Sequence, residues 1–408
     1  MRLLVLSHFF PHTGAEPFLV YESQYFNVTS NSVLIAPLFG SGTAQHLQLN
    51  HRVLPPVLTS PKSRLQLLYK GLFNFKSFSY HRSDFFKHWW KQPKTWYSVC
   101  LSILVSRAIR ASSNYQQLIH YINAGDPVIV YSYWADHWTS VLPYLKDSCS
   151  TSHYKIVIRS HGSDLTGVHQ QGYRPFRAEV LQLCTAWYAV SEYGKLYLQT
   201  RYPEFKFKIK CARIGVPGHG KAPLPNVGQP LTFISVSNIV PLKRVHLIFE
   251  VFQNLNQDII WHHFGDGPEM PRLKQKIKSA RPAFKVHLHG HVETDALVSF
   301  YKTQPVHAFI NLSTREGLPV SIMEAFSFGI PVFATAVGGT PELVNDTNGS
   351  CIPAEVTDTV LQNALEAFVL RISNSNDLRQ QAYITWLNKV STENYVHFFN
   401  ELKAYSSS

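Results

Sequence analysis

The sequence predicts an α/β protein made of two doubly wound parallel-sheet domains in tandem. Three observations carry this reading: a length of 408 residues that are 45% apolar, a recurring series of short continuous apolar runs, and a Gly- and Pro-rich break near the middle. A chain of this size holds more apolar material than one compact core ordinarily absorbs. The runs are uninterrupted rather than alternating, as in strands buried on both faces. Helical patterns separate them, which makes parallel βα units.

In the first half the runs are RLLVLS (2–7), SVLIAP (32–37), PVIVYS (127–132), KIVIRS (155–160) and AWYAVS (186–191). In the second half they are LTFISVS (231–237), DIIWHHFG (258–265), KVHLHG (285–290), VHAFINLS (306–313) and IPVFATA (330–336). Periodicity lapses across IGVPGHGKAPLPNVGQP (214–230), which reads as a hinge-like linker. The expected division is a first domain over 1–218, a second over 219–384, and a helical tail over 385–408 that packs back on the first domain. In that tail Trp386, Tyr395, Phe398 and Phe399 have spacings that place them on one helix face.

Lys and Arg outnumber Asp and Glu by 38 to 26, giving a net charge of +12, which favours contact with something anionic. The excess is densest over 61–110, where ten Lys and Arg stand against one acid, Asp84, and alternate with rings such as Phe85, Phe86, Trp89 and Trp90. This mixture suits an anionic membrane surface, at ~1 kcal/mol per basic residue near the headgroups. It equally suits an inserted helical hairpin whose rings are core and whose basic face is solvated. No nucleic-acid motif accompanies it, so nucleic acid is not an expected partner. The five cysteines are scattered singly without a C-x-x-C, which points to neither a disulfide framework nor a zinc site and fits a reducing cytoplasm. The first apolar run is too short for a signal sequence and is interrupted at His8. No stretch approaches the roughly 20 apolar residues of a membrane-spanning helix.

The chemistry concentrates in STREGLPVSIMEAFSFGIPV (313–332). A strand ends at Ser313, a loop follows, and a helix is expected over 320–328 with Pro319 before its first turn. In an open parallel sheet the carboxyl ends of strands form the ligand crevice. Glu316 stands there, able to accept hydrogen bonds from ligand hydroxyls. Glu324 lies about one turn into the helix, and its side chain leans back toward the helix start. Between them the first N–H groups and the positive end of the helix dipole form an anion site. Hydroxyl, anion, hydroxyl in a row describes the sugar, diphosphate and ribose of a nucleotide-sugar. The same two acids also fit a dipole-favoured terminal charge and an ordinary surface residue.

The stretch EGLPVSIMEAFSFGIPVFATAVGGTPELV (316–344) resembles the signature of family 4 glycosyltransferases, retaining enzymes of the GT-B fold, in which two Rossmann-like domains face a central cleft. The likeness extends to SVSNIVPLKRVHLIFEVF (235–252), HHFGDGPEMPRL (262–273) and VHLHGHV (286–292). In the first half it is looser, through FFPHTGAEPFLVYESQYF (9–26), VYSYWAD (130–136), IRSHGSDLTG (158–167) and AVSEYG (189–194).

The resemblance implies that Glu316 contacts donor-sugar hydroxyls, Glu324 the ribose, and Lys243 the diphosphate. A cation is otherwise poorly placed at a helix start, and an ammonium there stabilises the charge that grows on a departing phosphate. Gly317, Leu318, Pro319 and Val320 supply the anion-binding turn, His291 and Val292 the place where backbone pairs with the base, and Gly14 an approach to the diphosphate. Asn238 stands where the family commonly has arginine, with Arg244 as a partial substitute. His161 is expected near the reacting carbon, so that His161, Lys243 and Glu316 form the catalytic set. Glu16, Tyr131, Trp134, Arg159 and Asp164 are the acceptor-side candidates.

No D-x-D occurs, so a metal-clamped diphosphate is not expected, nor is any cofactor. The implied reaction moves a sugar from a nucleotide diphosphate, UDP foremost, with retention, the departing phosphate taking the acceptor's proton. The implied acceptor is a saccharide, lipid-linked at the cytoplasmic membrane face, as in capsule or lipopolysaccharide assembly. The TGAEPF form of the first loop is closer to a subgroup acting on bacterial surface polysaccharides. A soluble glucan synthase-like enzyme and a catalytically silent homologue that binds membrane or polysaccharide are the alternatives.

Overall fold

The computed structural model describes residues 1–12, 16–40, 44, 48, 50–58, 69, 93–151, 153–166, 175–226, 228–374 and 377–406. The chain divides into two compact units, Met1–Ile214 with Glu393–Ser408, and Gly215–Thr392.

The first unit holds a sheet of β1 (Arg2–Ser7), β2 (Ser32–Pro37), β3 (His51–Val53), β4 (Val128–Ser132), β5 (Tyr154–Ser160), β6 (Ala186–Ala189) and β7 (Ile209–Cys211) in the order β3-β2-β1-β4-β5-β6-β7. Every pairing is parallel, and Leu4 of β1 lies between Leu34 and Val130. All residues of β1 and β4 are buried, as their unbroken apolar runs require when helices cover both faces. Leu4, Leu6, Val130, Ile158, Trp138 and Trp187 are among the buried core of one side.

The helix Pro93–Arg110 sends Val99, Ile103 and Ile109 into that core and leaves Tyr97 two-thirds exposed. Of the basic aromatic stretch 61–110, residues 61–68 and 70–92 lie outside the described residues. The helix Glu393–Ser406 closes the other side, burying Tyr395, Phe398, Phe399 and Leu402. Trp386 does not share its face. It sits in a separate π-helical turn, Trp386–Val390, which ends at the extended Ser391, and its indole donates to the Val216 carbonyl of the second unit.

The second unit repeats the plan with β8 (Leu231–Val236), β9 (Ile259–Phe264), β10 (Lys285–Gly290), β11 (Ala308–Asn311), β12 (Val332–Thr335) and β13 (Gly349–Ile352), ordered β10-β9-β8-β11-β12-β13 and parallel throughout. Its core gathers Phe233, Phe249, Phe252, Trp261, Ile310 and Phe333. The strand order reverses between β1 and β4 in one sheet and between β8 and β11 in the other. Ligand crevices open at such switch points, outside the carboxyl ends of the strands. Two doubly wound parallel sheets were expected, and two are present. No helix among the described residues is long and apolar enough to cross a membrane, and none of the five cysteines forms a disulfide.

Candidate functional site

At the switch point of the second unit, β8 is followed by the turn Ser237–Val240 and a short 3-10 helix, Pro241–Lys243, while β11 is followed by the loop that leads to the helix Val320–Ser327. The two loops meet through charge. Lys243 Nζ lies 2.6 Å from Glu316 Oε1, with side chains 24% and 10% exposed. Asn311 Nδ2 donates to the same oxygen at 3.2 Å, and its Oδ1 accepts the Ser313 N–H at 2.9 Å, so the last residue of β11 fixes the carboxylate's direction.

Glycine makes this loop possible. A Cβ on Gly338, which has φ +55°, would stand 1.8 Å from the Glu316 carbonyl oxygen. Without it, Gly339 N–H reaches the Gly317 carbonyl at 2.8 Å and clamps the loop. On the other side Gly265, at φ +137°, faces the Ser237 carbonyl where a Cβ would be 1.9 Å away. There Ser237 N–H bonds Phe264 O and Ile239 N–H bonds Asp266 O, so the GDG turn holds the loop carrying Lys243.

Pro319 precedes the helix Val320–Ser327, and no side chain caps it. Its first N–H groups have no intrahelical acceptor and, with the dipole, favour an anion. Leu318 is buried beneath this turn. Glu324, half-buried one turn along, has no side-chain hydrogen bond or ion pair among the described residues, and burial pushes its carboxyl up to about 7. Tyr301, fully buried and with no partner for its hydroxyl among the described residues, feels the Glu324 charge.

Arg244 is placed differently from Lys243. Its backbone is left-handed at φ 47°, and the guanidinium binds the carbonyls of Leu312 at 2.5 Å, Ala354 at 3.0 Å and Ser313 at 3.5 Å. It ties the end of β11 to the segment after β13. Asn238 is exposed in the turn after β8, and His291 and Val292 follow β10, His291 exposed and Val292 half-buried.

The switch point of the first unit carries a second cluster. His161, just after β5, donates from Nε2 to the Tyr133 carbonyl at 3.1 Å, since that oxygen can only accept. Burial and then the Arg159 charge drive its pKa down to about 3, so the imidazole is neutral with Nδ1 as acceptor. Trp134 packs against it at 4.4 Å between centroids and stacks on His8 at 5.4 Å and 11°. Asp164 accepts the N–H of His161 at 2.7 Å and of Ala135 at 3.0 Å, and burial raises it to about 6. Glu16 receives the N–H groups of His8, Phe9 and Phe10 at 3.1, 2.7 and 2.6 Å together with the Trp134 indole, so both its oxygens serve the loop after β1. Gly14 lies outside the described residues.

Tyr131 and Arg159 face inward. Arg159 Nη1 meets Glu22 Oε2 at 2.6 Å with both side chains fully buried, the Tyr131 hydroxyl bonds Glu22 Oε1 at 2.7 Å, and the guanidinium covers the Phe398 ring at 4.4 Å. Burial opposes the charge on Arg159, but Glu22 together with Tyr131, Tyr395 and Tyr133 outweighs it and raises the pKa.

The structure also adds a pair that sequence reasoning missed. His8 Nε2 lies 2.7 Å from Asp136 Oδ1, with side chains 15% and 16% exposed. Burial works against both charges, yet the surrounding groups together outweigh it: Asp136 with Glu16 and Asp164 raise His8 above 6.5, and His8 with His137 hold Asp136 down at about 2. The one signal in the sequence is a polar residue directly after an apolar strand.

The description "Glycosyl transferases group 1" matches residues 221–385. WcaL of Escherichia coli (strain K12), named for colanic acid biosynthesis, is 29% identical over 171 residues, 40% of this chain and 42% of that protein. The amylovoran biosynthesis glycosyltransferase AmsK of Erwinia amylovora is 26% identical over 207 residues, 48% of this chain and 49% of its own length. The matched region thus spans less than half the length of either relative. Among solved structures, the lipopolysaccharide outer core galactosyltransferase WaaB in its apo form aligns over 100% of both chains with TM-score 0.70 at 15% identity. Anabaena Alr3699/HepE in complex with UDP aligns over 99% of this chain and 100% of its own, with TM-score 0.67 at 15% identity. Residues 221–385 therefore carry a glycosyl transferases group 1 domain, in a chain whose two parallel-sheet units have the GT-B fold.

Proposed function

We propose that this chain is a retaining, metal-independent glycosyltransferase that moves a sugar from a nucleoside-diphosphate sugar, UDP-linked foremost, to a saccharide in the assembly of a surface polysaccharide. One observation carries the reading: an ammonium and a carboxylate 2.6 Å apart, Lys243 and Glu316, at the open end of a helix that carries the unpartnered Glu324 one turn on. In this reading the diphosphate lies on the helix start and Lys243, Glu316 turns to the sugar hydroxyls, and Glu324 takes the ribose diol. Lys243 stabilises the charge on the leaving diphosphate, as a positioned cation does in a site closed to water.

Relatives named for colanic acid and amylovoran biosynthesis support the polysaccharide setting, and a UDP complex of a structural neighbour supports the base. The acceptor in this reading is lipid-linked, and the basic aromatic stretch 61–110 holds the protein peripherally on the cytoplasmic membrane face. The test is a panel of nucleotide-sugars scored by thermal shift and by slow release of nucleotide in the absence of acceptor. Wild type should release nucleotide from one or a few of them, and Glu316→Ala should not. No binding to any member overturns the reading. Flotation with anionic and zwitterionic liposomes tests the membrane part separately.

A further inference from the structure

The turn that leads to Lys243 is held by a buried series of polar side chains inside the second unit. Ser235 of β8 and His263 of β9 are paired across the sheet, and Trp261, two positions before His263, shares its face. The Trp261 indole donates to Ser235 Oγ at 2.9 Å, and the Ser235 hydroxyl lies 2.8 Å from His263 Nδ1. All three side chains are buried. The other imidazole nitrogen, Nε2, approaches the Ser237 carbonyl, short of a full hydrogen bond.

A carbonyl oxygen only accepts, so Nε2 carries the proton and Nδ1 takes the Ser235 hydroxyl. The opposite tautomer would set two lone pairs against each other at Ser237. Burial, with His289 nearby, lowers His263 to about 4 against the pull of the Ser237 carbonyl, so the ring is neutral at ordinary pH. Every proton in the series then points one way, from Trp261 through Ser235 and His263 to Ser237.

Ser237 is where that direction matters. Its own N–H bonds Phe264 O at 3.0 Å, so the residue is gripped on both its backbone groups. Gly265 permits the close approach, because a Cβ there would stand 1.9 Å from Ser237 O and 3.4 Å from His263 Nε2. Beyond Ser237, the Val240 N–H bonds the Asn238 carbonyl at 3.0 Å and the Lys243 N–H bonds the Val240 carbonyl at 2.9 Å. A shift at Ser237 therefore passes along bonded backbone to the Lys243 ammonium.

We propose that His263 is a positioning residue for donor binding: its Nε2–H steers the Ser237 carbonyl and so fixes where Lys243 meets the diphosphate. The inference rests on the glycosyl-transfer reading above and adds to it a side chain that acts only through Lys243. A buried donor left short of its acceptor is costly, which draws the turn toward the course that completes the bond.

The experiment is calorimetry of UDP binding to the full chain, in a double-mutant cycle with Lys243→Ala. His263→Phe keeps a ring in the space and removes both nitrogens. It should weaken UDP binding roughly tenfold beside an intact Lys243, the scale of one misplaced charge-assisted contact. With Lys243→Ala already in place it should weaken binding by less than about twofold. His263→Gln keeps a distal N–H and should recover binding to within about threefold of wild type. A merely packed histidine would show neither this rescue nor the dependence on Lys243. Melting temperature reports whether each variant folds. If His263→Phe does not fold, Ser235→Ala decides: it releases the tautomer and should weaken UDP binding several-fold only while Lys243 is present. Unchanged UDP affinity in the deciding variant, an equal loss with and without Lys243, or no recovery in His263→Gln overturns the assignment. Wild type that does not bind UDP overturns the glycosyl-transfer reading, and this assignment with it.

Discussion

Lys243 and Glu316 neutralise each other across 2.6 Å, from loops 73 positions apart in the chain. In the proposed reading a diphosphate takes the first of these groups and a sugar hydroxyl the second, so the ligand parts them. Removing Lys243 takes away a charge-assisted contact of about 1.5–3 kcal/mol. Lys243→Ala should weaken UDP binding by about tenfold or more. Glu316→Ala frees the ammonium and should keep or tighten UDP binding while nucleotide release from UDP-sugars is lost. Calorimetry with UDP beside a release assay separates the two effects.

Glu324 should make nucleotide binding depend on pH. Its folded pKa, about 7, exceeds the ordinary 4.5, so whatever the protonated form contributes to stability is present below 4.5 and lost as pH rises through about 7. A ribose diol donates to a carboxylate and so favours the ionised form. UDP affinity should rise from about pH 6 to about pH 8, with release of a proton on binding, and Glu324→Gln should flatten both. Calorimetry in buffers of different ionisation enthalpy measures the proton directly.

Arg159 and Glu22 predict a stability effect. Breaking a fully buried ion pair by truncating one partner costs about 3–5 kcal/mol, because the other charge stays buried and unpaired. Arg159→Met should lower the urea midpoint accordingly, and Tyr131→Phe should cost about 1 kcal/mol through one lost hydrogen bond.

Gly338→Ala tests whether the loop's course matters. Its left-handed φ and the 1.8 Å approach to the Glu316 carbonyl leave no room for a methyl group, so the loop must move. A displacement of about 1 Å at a reacting centre lowers turnover by roughly 100-fold. Release of nucleotide should fall by that order, with a melting temperature lowered by only a few degrees.

The long central strands were legible because burial on both faces writes a continuous apolar run, as in β1 and β4. Three strands escaped: β3, β7 and β13 have three or four residues, and their burial is mixed because each lies at a sheet edge. For the site, the loop 313–320 was legible as a motif, but Asn311 and Gly338 were not, since their meaning lies in contacts with Glu316 that only the folded loop creates. Tyr131 and Arg159 show the opposite limit. Their positions near strand ends were visible, yet the direction of each side chain depends on Glu22, more than 100 residues away in sequence. His8 and Asp136, 128 positions apart, are joined by topology alone.

The helix Glu393–Ser406 belongs to the unit that the chain begins with, although the whole of the other unit is translated in between. A ribosome therefore completes the second sheet and its core before it has made the side chains that seal the first. During that interval the inner face awaiting Tyr395, Phe398, Phe399 and Leu402 stays open to water or to chaperones.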